Sequence, residues 1–275
     1  MLHINVITIF PDFFRGPLDY GIVRRARETK LIDVNVQDLR EFTHDRHRTV
    51  DDRPFGGGEG MVLKVEPIFE CVESLGVTPK EKRSAKETVI LLSPQGKMFD
   101  QGMAAELAGC ERVVLICGRY EGVDERVAEE LADREISVGD FVLSGGELGA
   151  AIIVDAVTRL LPGALGNEAS NKQESFTSVA APRASSDVNG SVPSSTCSSN
   201  GLLDYPHYTR PVEFRGMAVP EVLSSGNHDQ IRRWLRKKAL EKTLRNRPDL
   251  LEQSELSAED KRFIAELREE AGGRK

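Results

Sequence analysis

Three glycine-containing loops each follow a short apolar run, and this pairing is the clearest chemical feature of the chain. Residues 93–96 follow the run 89–92, residues 118–122 follow the run 113–117, and residues 138–147 follow a third short segment. In open α/β sheets, ligands bind beyond the carboxyl ends of strands, and glycine lets the backbone approach a ligand closely. Tight turns would have a similar composition, but three such loops after three strands favour a shared ligand site.

A fourth glycine-rich segment, residues 51–61, has two interpretations. It could present backbone donors to a nucleotide phosphate, or it could be a surface loop, and its composition does not decide between them. Neither the P-loop pattern G-x-x-x-x-G-K-[ST] nor the dinucleotide pattern G-x-G-x-x-G occurs in the chain. A P-loop nucleotidase and an ordinary Rossmann dehydrogenase are therefore disfavoured.

A basic segment near the carboxyl end points to a polyanionic partner, although the net charge of the chain is −7. Eight of the sixteen residues from 232 to 247 are Lys or Arg, and only Glu241 among them is acidic. Such a local field attracts nucleic acid even in an acidic protein, whereas a solvated helix face would look the same. His207 and Tyr208 could likewise contact RNA or pack between domains.

The bulk composition is that of an ordinary globular protein. The chain has 275 residues, 39% hydrophobic and 29% charged, and no apolar stretch is long enough to span a bilayer. The first residues lack the basic segment and apolar core of a signal peptide. The four cysteines are widely spaced and form no C-x-x-C pair. We therefore expect neither a zinc site nor a disulfide framework, and a cytoplasmic location.

The apolar pattern predicts alternating strands and helices in the first 165 residues. Strand-like runs begin at Ile4 and Val34 and recur at 89–92 and 113–116. Helices are predicted between and after them, at 21–30, 66–75, 100–108, 123–132 and 148–161. This alternation predicts an α/β fold with a mainly parallel sheet.

A change in composition divides the chain into three parts. Residues 177–200 are rich in serine and nearly free of large apolar side chains, so they cannot bury enough surface to offset their ordering entropy. The segment after 201 has helical patterns, with Pro248 as a stop signal and Ser257 as a candidate N-cap. We predict a domain at 1–165, a flexible linker with a Ser-rich insertion at 166–200, and a small helical domain at 201–275.

Six motifs give the chain a more specific resemblance. In their order and spacing they resemble those of bacterial tRNA (guanine-N1)-methyltransferases of the SPOUT superfamily, and the similarity covers nearly the whole chain except 177–200. The motifs are DDRPFGGGEGM (51–61), LSPQG (92–96), CGRYEGVDER (117–126), SVGDFVLSGGEL (137–148), DAVTRLLPG (155–163) and GLLDYPHYTRP (201–211).

The resemblance implies a SPOUT-type α/β fold with a parallel sheet and a C-terminal trefoil knot, followed by a small helical tRNA-binding domain at 201–275. It also implies an obligate homodimer that holds S-adenosylmethionine in the knot and binds tRNA across both subunits. The methylated atom would be N1 of the guanosine just 3′ of the anticodon (position 37). The implied cofactor-binding residues are Pro94, Gly118, Tyr120, Glu121, Val138, Gly139, Asp140, Phe141, Val142, Leu143, Gly145 and Gly146.

Methylation of guanine N1 needs a general base for the N1 proton and a group that stabilises negative charge on O6. The family's acidic-Ser-Phe motif corresponds to Glu174-Ser175-Phe176, which implies Glu174 as the base although the family has aspartate there. Arg159 matches a family arginine placed near the guanine. Glu121 matches a carboxylate near the cofactor, and the resemblance also implies a possible dependence on Mg²⁺ with unknown ligands.

Without the resemblance, Glu174 and Arg159 are typical of a solvated linker acid and a surface arginine. Two other functions stay open: a related knotted methyltransferase that acts on a different RNA, and an RNA-binding protein that kept the fold and lost catalysis. The retained glycine loops, Arg159 and an acid at position 174 favour an enzyme. We also expect the 177–200 segment to leave the approach to Glu174 intact, so that its deletion preserves methylation.

Overall fold

The apolar runs of the first 165 residues form one five-stranded sheet in the computed structural model. Its strands are β1 (Leu2–Thr8), β2 (Ile32–Asp38), β5 (Glu87–Met98), β6 (Arg112–Cys117) and β7 (Arg134–Ser137). Their order in the sheet is β2-β1-β6-β5-β7, and every neighbouring pair is parallel, which confirms the predicted α/β fold with a parallel sheet. The pair β3 (Asp51–Asp52) and β4 (Val62–Leu63) forms a separate small antiparallel sheet.

The structure describes residues 1–166, 174–177 and 201–272. They belong to two compact units, Met1–Gly166 and Asn167–Lys275. Most of the predicted linker at 166–200 therefore lies outside the described residues. Among the described residues, no helix combines the length and apolar character needed to cross a membrane.

Helices cover both faces of the sheet because its central strands are apolar on both sides. Ile4 and Val6 pack in one buried cluster with α1 (Gly21–Glu28), α3 (Gln101–Ala108) and α4 (Glu147–Leu160). Ile7 and Ile9 belong to a second cluster with α2 (Val65–Ser74) on the opposite face. Asp100 caps α3 by accepting a hydrogen bond from the Met103 backbone N–H at 2.8 Å.

Two local predictions differ from the structure. The predicted loop at 93–96 lies inside β5, as an irregularity between Leu92 and Lys97 after which pairing with β7 resumes. The helix predicted at 123–132 is present but begins later, as a helical segment at 125–131 of which Val127–Leu131 is π-helical. The first residues of the predicted span are extended because Val123 forms a β-bridge with Leu63 and the Asp124 N–H donates to the Leu63 carbonyl at 3.0 Å.

In its described residues, the second unit contains the α-helices α5 (His228–Asn246), α6 (Asp249–Gln253) and α7 (Ala258–Gly272). A small core of Leu202, Leu240, Leu251 and Ile264 lies among them. β8 (Glu213–Phe214) and β9 (Met217–Ala218) form an antiparallel hairpin with a two-residue turn between them. The predicted N-cap Ser257 is confirmed, because its hydroxyl accepts the Asp260 N–H at 3.1 Å.

A buried ion pair joins α5 to α7. The guanidinium of Arg236 donates two hydrogen bonds to the Asp260 carboxylate, at 3.0 and 2.9 Å. Burial by itself would raise the pKa of Asp260, but the hydrogen bonds from Arg236 and Ser257 outweigh it and hold the pKa below its usual value. Such a carboxylate stabilises the fold above its unfolded-state pKa, and this contribution is lost as the pH falls through the folded-state value.

We expect Asp260→Asn to lower the free energy of unfolding of the second unit by about 2 kcal/mol at pH 7, because the neutral amide cannot accept both charged hydrogen bonds from the Arg236 guanidinium. The difference from the unaltered protein should shrink as the pH falls below about 4. Urea titrations followed by the fluorescence of Trp234, the single tryptophan, report on this unit. Asp249→Asn, in an exposed pair with Arg247, is the control and should change little. Equal effects of the two variants would contradict the prediction.

Candidate active site

The three predicted loops meet at one edge of the sheet, because β6, β5 and β7 are neighbouring parallel strands whose carboxyl ends lie together. Between them lies a cavity of about 340 Å³, a size typical of small-molecule sites. The predicted cofactor residues that line it are Pro94, Gly118, Tyr120, Glu121, Val138, Phe141, Val142, Leu143, Gly145 and Gly146.

Gly139 and Asp140 are the two predicted cofactor residues that do not line the cavity. Gly139 instead lies under the ring of Phe141, where an added Cβ would come within 2.1 Å of that ring. The Phe141 N–H also donates to the Gly139 carbonyl at 2.8 Å. Gly139 thereby allows the tight turn that places Phe141 at the cavity.

The beginning of α4 passes very close to the ends of β5 and β6. A Cβ on Gly146 would lie 2.7 Å from Cys117 Cα and 3.1 Å from the Gly118 nitrogen. The Gly146 N–H donates to the Gly118 carbonyl at 2.9 Å, and Arg119 pairs with Gly145 as an isolated antiparallel bridge. This backbone contact requires glycine and joins two of the three loops into one wall.

The glycine-rich segment 51–61 lies against the loop after β6. The Glu121 N–H donates to the Met61 carbonyl, and the Leu63 N–H donates to the Gly122 carbonyl, both at 3.0 Å. A Cβ on Gly60 would come within 2.5 Å of the Glu121 side chain. The segment supports the Glu121 loop from outside, a role that its composition did not reveal.

Several residues that line the cavity were not predicted from the sequence. They include three apolar strand residues, Leu91, Leu92 and Ile136, and two acids, Glu125 and Glu135. Their only sequence signal is their closeness to the predicted loops. Together with Glu121, the two acids give the cavity three carboxylates, against one cation, Arg119, among the lining residues that the structure describes. This balance favours a positively charged ligand.

Cys117, at the end of β6, is not a nucleophile for this site. Burial raises the pKa of its thiol well above the usual value, and the nearby Glu147 carboxylate raises it further. Burial similarly raises the pKa of Cys71 to about 12. Because only the thiolate is a strong nucleophile, the chemistry of the cavity has to come from other groups.

The two predicted catalytic residues lie in different units. Arg159 is in the last turn of α4, and Glu174 begins the short segment 174–177. Backbone hydrogen bonds hold this segment in the second unit, from Phe176 N–H to the Leu202 carbonyl at 3.0 Å and from Gly201 N–H to the Thr177 carbonyl at 3.0 Å.

The basic segment 232–247 lies on α5 and takes part in packing as well as facing solvent. Lys237 lies over the ring of Phe263 and Lys238 over that of Trp234, while Arg232, Arg233 and Arg245 are exposed. Tyr208 packs near Trp234, with ring centroids 6.3 Å apart, and keeps half of its surface exposed. His207 is in hydrogen-bond contact with Asp204 at 2.9 Å.

Known proteins match this chain over nearly its whole length. A family model described as "tRNA (Guanine-1)-methyltransferase TrmD" matches residues 2–253. A protein of Koribacter versatilis named tRNA (guanine-N(1)-)-methyltransferase is 66% identical over 267 residues, which cover 97% of this chain and 98% of that protein. A protein of the same name from Moorella thermoacetica is 51% identical, and the match covers 99% of this chain and 99% of that protein. Another from Geobacter metallireducens is 48% identical, and the match covers 97% of this chain and 98% of that protein. The chain therefore belongs to the tRNA (guanine-1)-methyltransferase TrmD family of enzymes.

Proposed function

We propose that this protein transfers a methyl group from S-adenosylmethionine to N1 of the guanosine just 3′ of the anticodon in tRNA. The observation that carries the proposal is the cavity at the carboxyl ends of β5, β6 and β7, lined by most of the residues that the family motifs imply. The relatives named for this reaction match the chain from end to end.

The cavity has the chemistry that S-adenosylmethionine requires. Apolar side chains such as Leu92, Ile136 and Val138 suit the adenine ring, and the glycine loops offer backbone donors and acceptors for its polar edge. The carboxylates of Glu121, Glu125 and Glu135 suit its positive charges. When bound, this group supplies an electrophilic methyl carbon on a positively charged sulfur.

The residues of the chain then have two tasks toward guanine. Glu174, in its ionised form, accepts the N1 proton, so that the N1 electron pair becomes available as the nucleophile. Arg159 donates to O6 and stabilises the negative charge that develops there as the proton leaves. The exposed cations of α5 attract the tRNA backbone and position the anticodon region.

Mg²⁺ dependence stays a prediction with little support from the side chains. Among the described residues, no group of three or more His, Cys, Asp or Glu side chains could hold a metal ion. Mg²⁺ often binds through one or two carboxylates and its own waters. Glu121 is the candidate for such a contact.

The proposal includes a trefoil knot, a homodimer, a helical tRNA-binding domain and a cytoplasmic location. The knot rests on the resemblance of the six motifs, whereas the close passage of Gly146 against Cys117 and Gly118 shows only that α4 begins against the end of β6. Leu148 and Ile152 on the first turns of α4 are exposed, as are Phe141 and Val142 a few residues before this helix, and exposed apolar side chains of this kind support a subunit interface. A solution mass equal to the 30.4 kDa monomer would contradict the homodimer.

The segment 178–200 should be dispensable for catalysis. The residues that flank it are close together, because the Gly201 N–H donates to the Thr177 carbonyl at 3.0 Å. We expect replacement of residues 178–200 by a two-residue Gly-Gly turn, which preserves this hydrogen bond, to change kcat less than about threefold, since the backbone contacts around Glu174 remain. Methyl transfer and thermal unfolding, measured together, check this result. A large loss of turnover in a protein that remains folded would contradict it.

One assay tests the reaction: labelled methyl transfer to unmodified tRNA transcripts that carry guanine or adenine just after the anticodon. Methylation of the guanine transcripts alone supports the proposed function. Transfer only to another RNA would favour the related-methyltransferase hypothesis. Binding of tRNA with no transfer to any transcript would favour an RNA-binding protein without catalysis.

A further inference from the structure

A buried carboxylate lies behind the cavity. Glu147, the first residue of α4, is only 3% exposed. Its Oε1 accepts a hydrogen bond from the Thr8 hydroxyl at 2.8 Å, and the Thr8 Oγ1 in turn accepts the Phe10 N–H at 3.0 Å. These contacts tie the end of β1 to the beginning of α4.

The second oxygen of this carboxylate faces Arg119. Glu147 Oε2 lies 3.7 Å from Arg119 Nη2, which is an ion pair but beyond hydrogen-bond range. The guanidinium lies 4.5 Å over the ring of Phe10, and its Nε is buried without a hydrogen-bond partner among the described residues. A Cβ on Gly145 would come within 2.4 Å of Glu147 Oε2 and within 2.6 Å of Arg119 Nε, so the two side chains fill the space beside this glycine.

Arg119 connects this cluster to the cavity. Its neighbours Gly118 and Tyr120 both line the cavity, and the Tyr120 backbone has a φ of 58°, in the left-handed region. A non-glycine residue is strained there. The surrounding structure has to hold such a loop in shape, and the Arg119 side chain is placed to do so.

Fold stability alone gives a weak reason for this arrangement. A buried ion pair contributes little net stability relative to well-packed apolar residues, because removing two charges from water costs about as much as their attraction provides. The Glu147 carboxylate combines the hydrogen bond from Thr8 with a long ion pair to Arg119. The position of the Glu147 carboxylate is better explained by its effect on the orientation of the Arg119 side chain.

We propose that Glu147 is a positioning residue which, through Arg119, holds the loop 118–121 in the shape that binds S-adenosylmethionine. This inference rests on the proposed function, because it concerns the affinity of the same cavity for that group. Thr8 contributes by fixing the orientation of the carboxylate. Glu147 itself does not line the cavity, so its effect on binding is transmitted by Arg119.

The test is Glu147→Gln, which keeps the shape of the side chain and removes its charge. We expect the KM and Kd for S-adenosylmethionine to rise about 10-fold or more, with kcat at saturation changed less than about threefold. Asp133→Asn is the matched control, since Asp133 pairs with the buried Arg83 at 2.7 Å in the same unit and does not line the cavity. It should lower the melting temperature and leave KM unchanged.

Two further comparisons separate positioning from general destabilisation. In an Arg119→Gln background, Glu147→Gln should add less than about twofold to KM, since the two residues act as one unit. Thr8→Val, which removes only the hydroxyl, should raise KM in the same direction, whereas Thr8→Ser, which keeps the hydroxyl, should leave it unchanged. The Thr8 variants keep the inference testable if Glu147→Gln fails to fold.

The possible failures are distinguishable. If the unaltered protein does not bind S-adenosylmethionine, the proposed function is overturned and this inference with it. If the unaltered protein binds it and Glu147→Gln has the same KM, this inference alone is overturned. An equal rise in KM with and without Arg119 would also overturn it, because Glu147 would then act by another route.

Discussion

Glu174→Gln should lower the rate of methyl transfer by about 100- to 10,000-fold, the range expected for loss of a general base. The amide is nearly isosteric with the carboxylate but cannot accept the N1 proton at neutral pH. The local backbone should be unaffected, because the segment is held by main-chain bonds such as Phe176 N–H to the Leu202 carbonyl. Single-turnover methyl transfer measures the chemical step, and titration with S-adenosylmethionine should give an unchanged affinity.

The conservative variant Glu174→Asp is the matched control for this loss. It restores the acid that the family motif carries and shortens the side chain by one methylene, so we expect a rate within about 10-fold of the unaltered protein. Asp204 is the alternative base, but its carboxylate already accepts the Tyr205 N–H at 2.8 Å and contacts His207. We therefore expect Asp204→Asn to be much milder than Glu174→Gln. The reverse order of the two variants would assign the base to Asp204.

Gly146→Ala should abolish cofactor binding, with an affinity lowered by at least about 100-fold. The added methyl group would lie 2.7 Å from Cys117 Cα and 3.1 Å from the Gly118 nitrogen. Both are backbone atoms, which no side-chain rotation can move away. The start of α4 therefore has to shift away from the loop after β6. That movement breaks the bond from Gly146 N–H to the Gly118 carbonyl and opens the cavity wall. Calorimetric titration with S-adenosylmethionine measures the loss.

Gly16→Ala is the matched control, because it adds the same methyl group outside the cavity. No heavy atom lies within 4 Å of the new carbon, and the Gly16 φ of −76° suits alanine. This variant should bind S-adenosylmethionine with unchanged affinity and melt at the same or a slightly higher temperature. A Gly146→Ala protein that binds S-adenosylmethionine normally would show that the close backbone contact does not shape the site.

Both predictions separate cofactor binding from proton removal. Glu174 variants should change the chemical step with the cofactor affinity intact, whereas Gly146 variants should change the affinity. An RNA-binding protein without catalysis could not show the first pattern, because its unaltered form would already lack methyl transfer. The Gly146 variants test the cofactor site independently of which tRNA serves as substrate.

The sheet and its ligand edge were predictable from local patterns. Continuous apolar runs such as 113–117 become strands buried on both faces. In a parallel sheet the carboxyl ends of neighbouring strands meet, so loops that follow such runs, at 93–96, 118–122 and 138–147, converge without any further information. The guanine-N1 reaction did not follow from these patterns; it came from the order and spacing of the six motifs.

Contacts between residues far apart in the chain were not predictable. Periodicity reports only on neighbours within a few turns, so it could not show that Gly60 supports Glu121 or that Glu125 and Glu135 reach the cavity. Thr8 and Glu147 are 139 positions apart and resemble a strand-end threonine and a helix-start acid when viewed alone. Their hydrogen bond exists because α4 packs against the sheet that contains β1, and packing between distant segments is what orients Arg119 at the cavity.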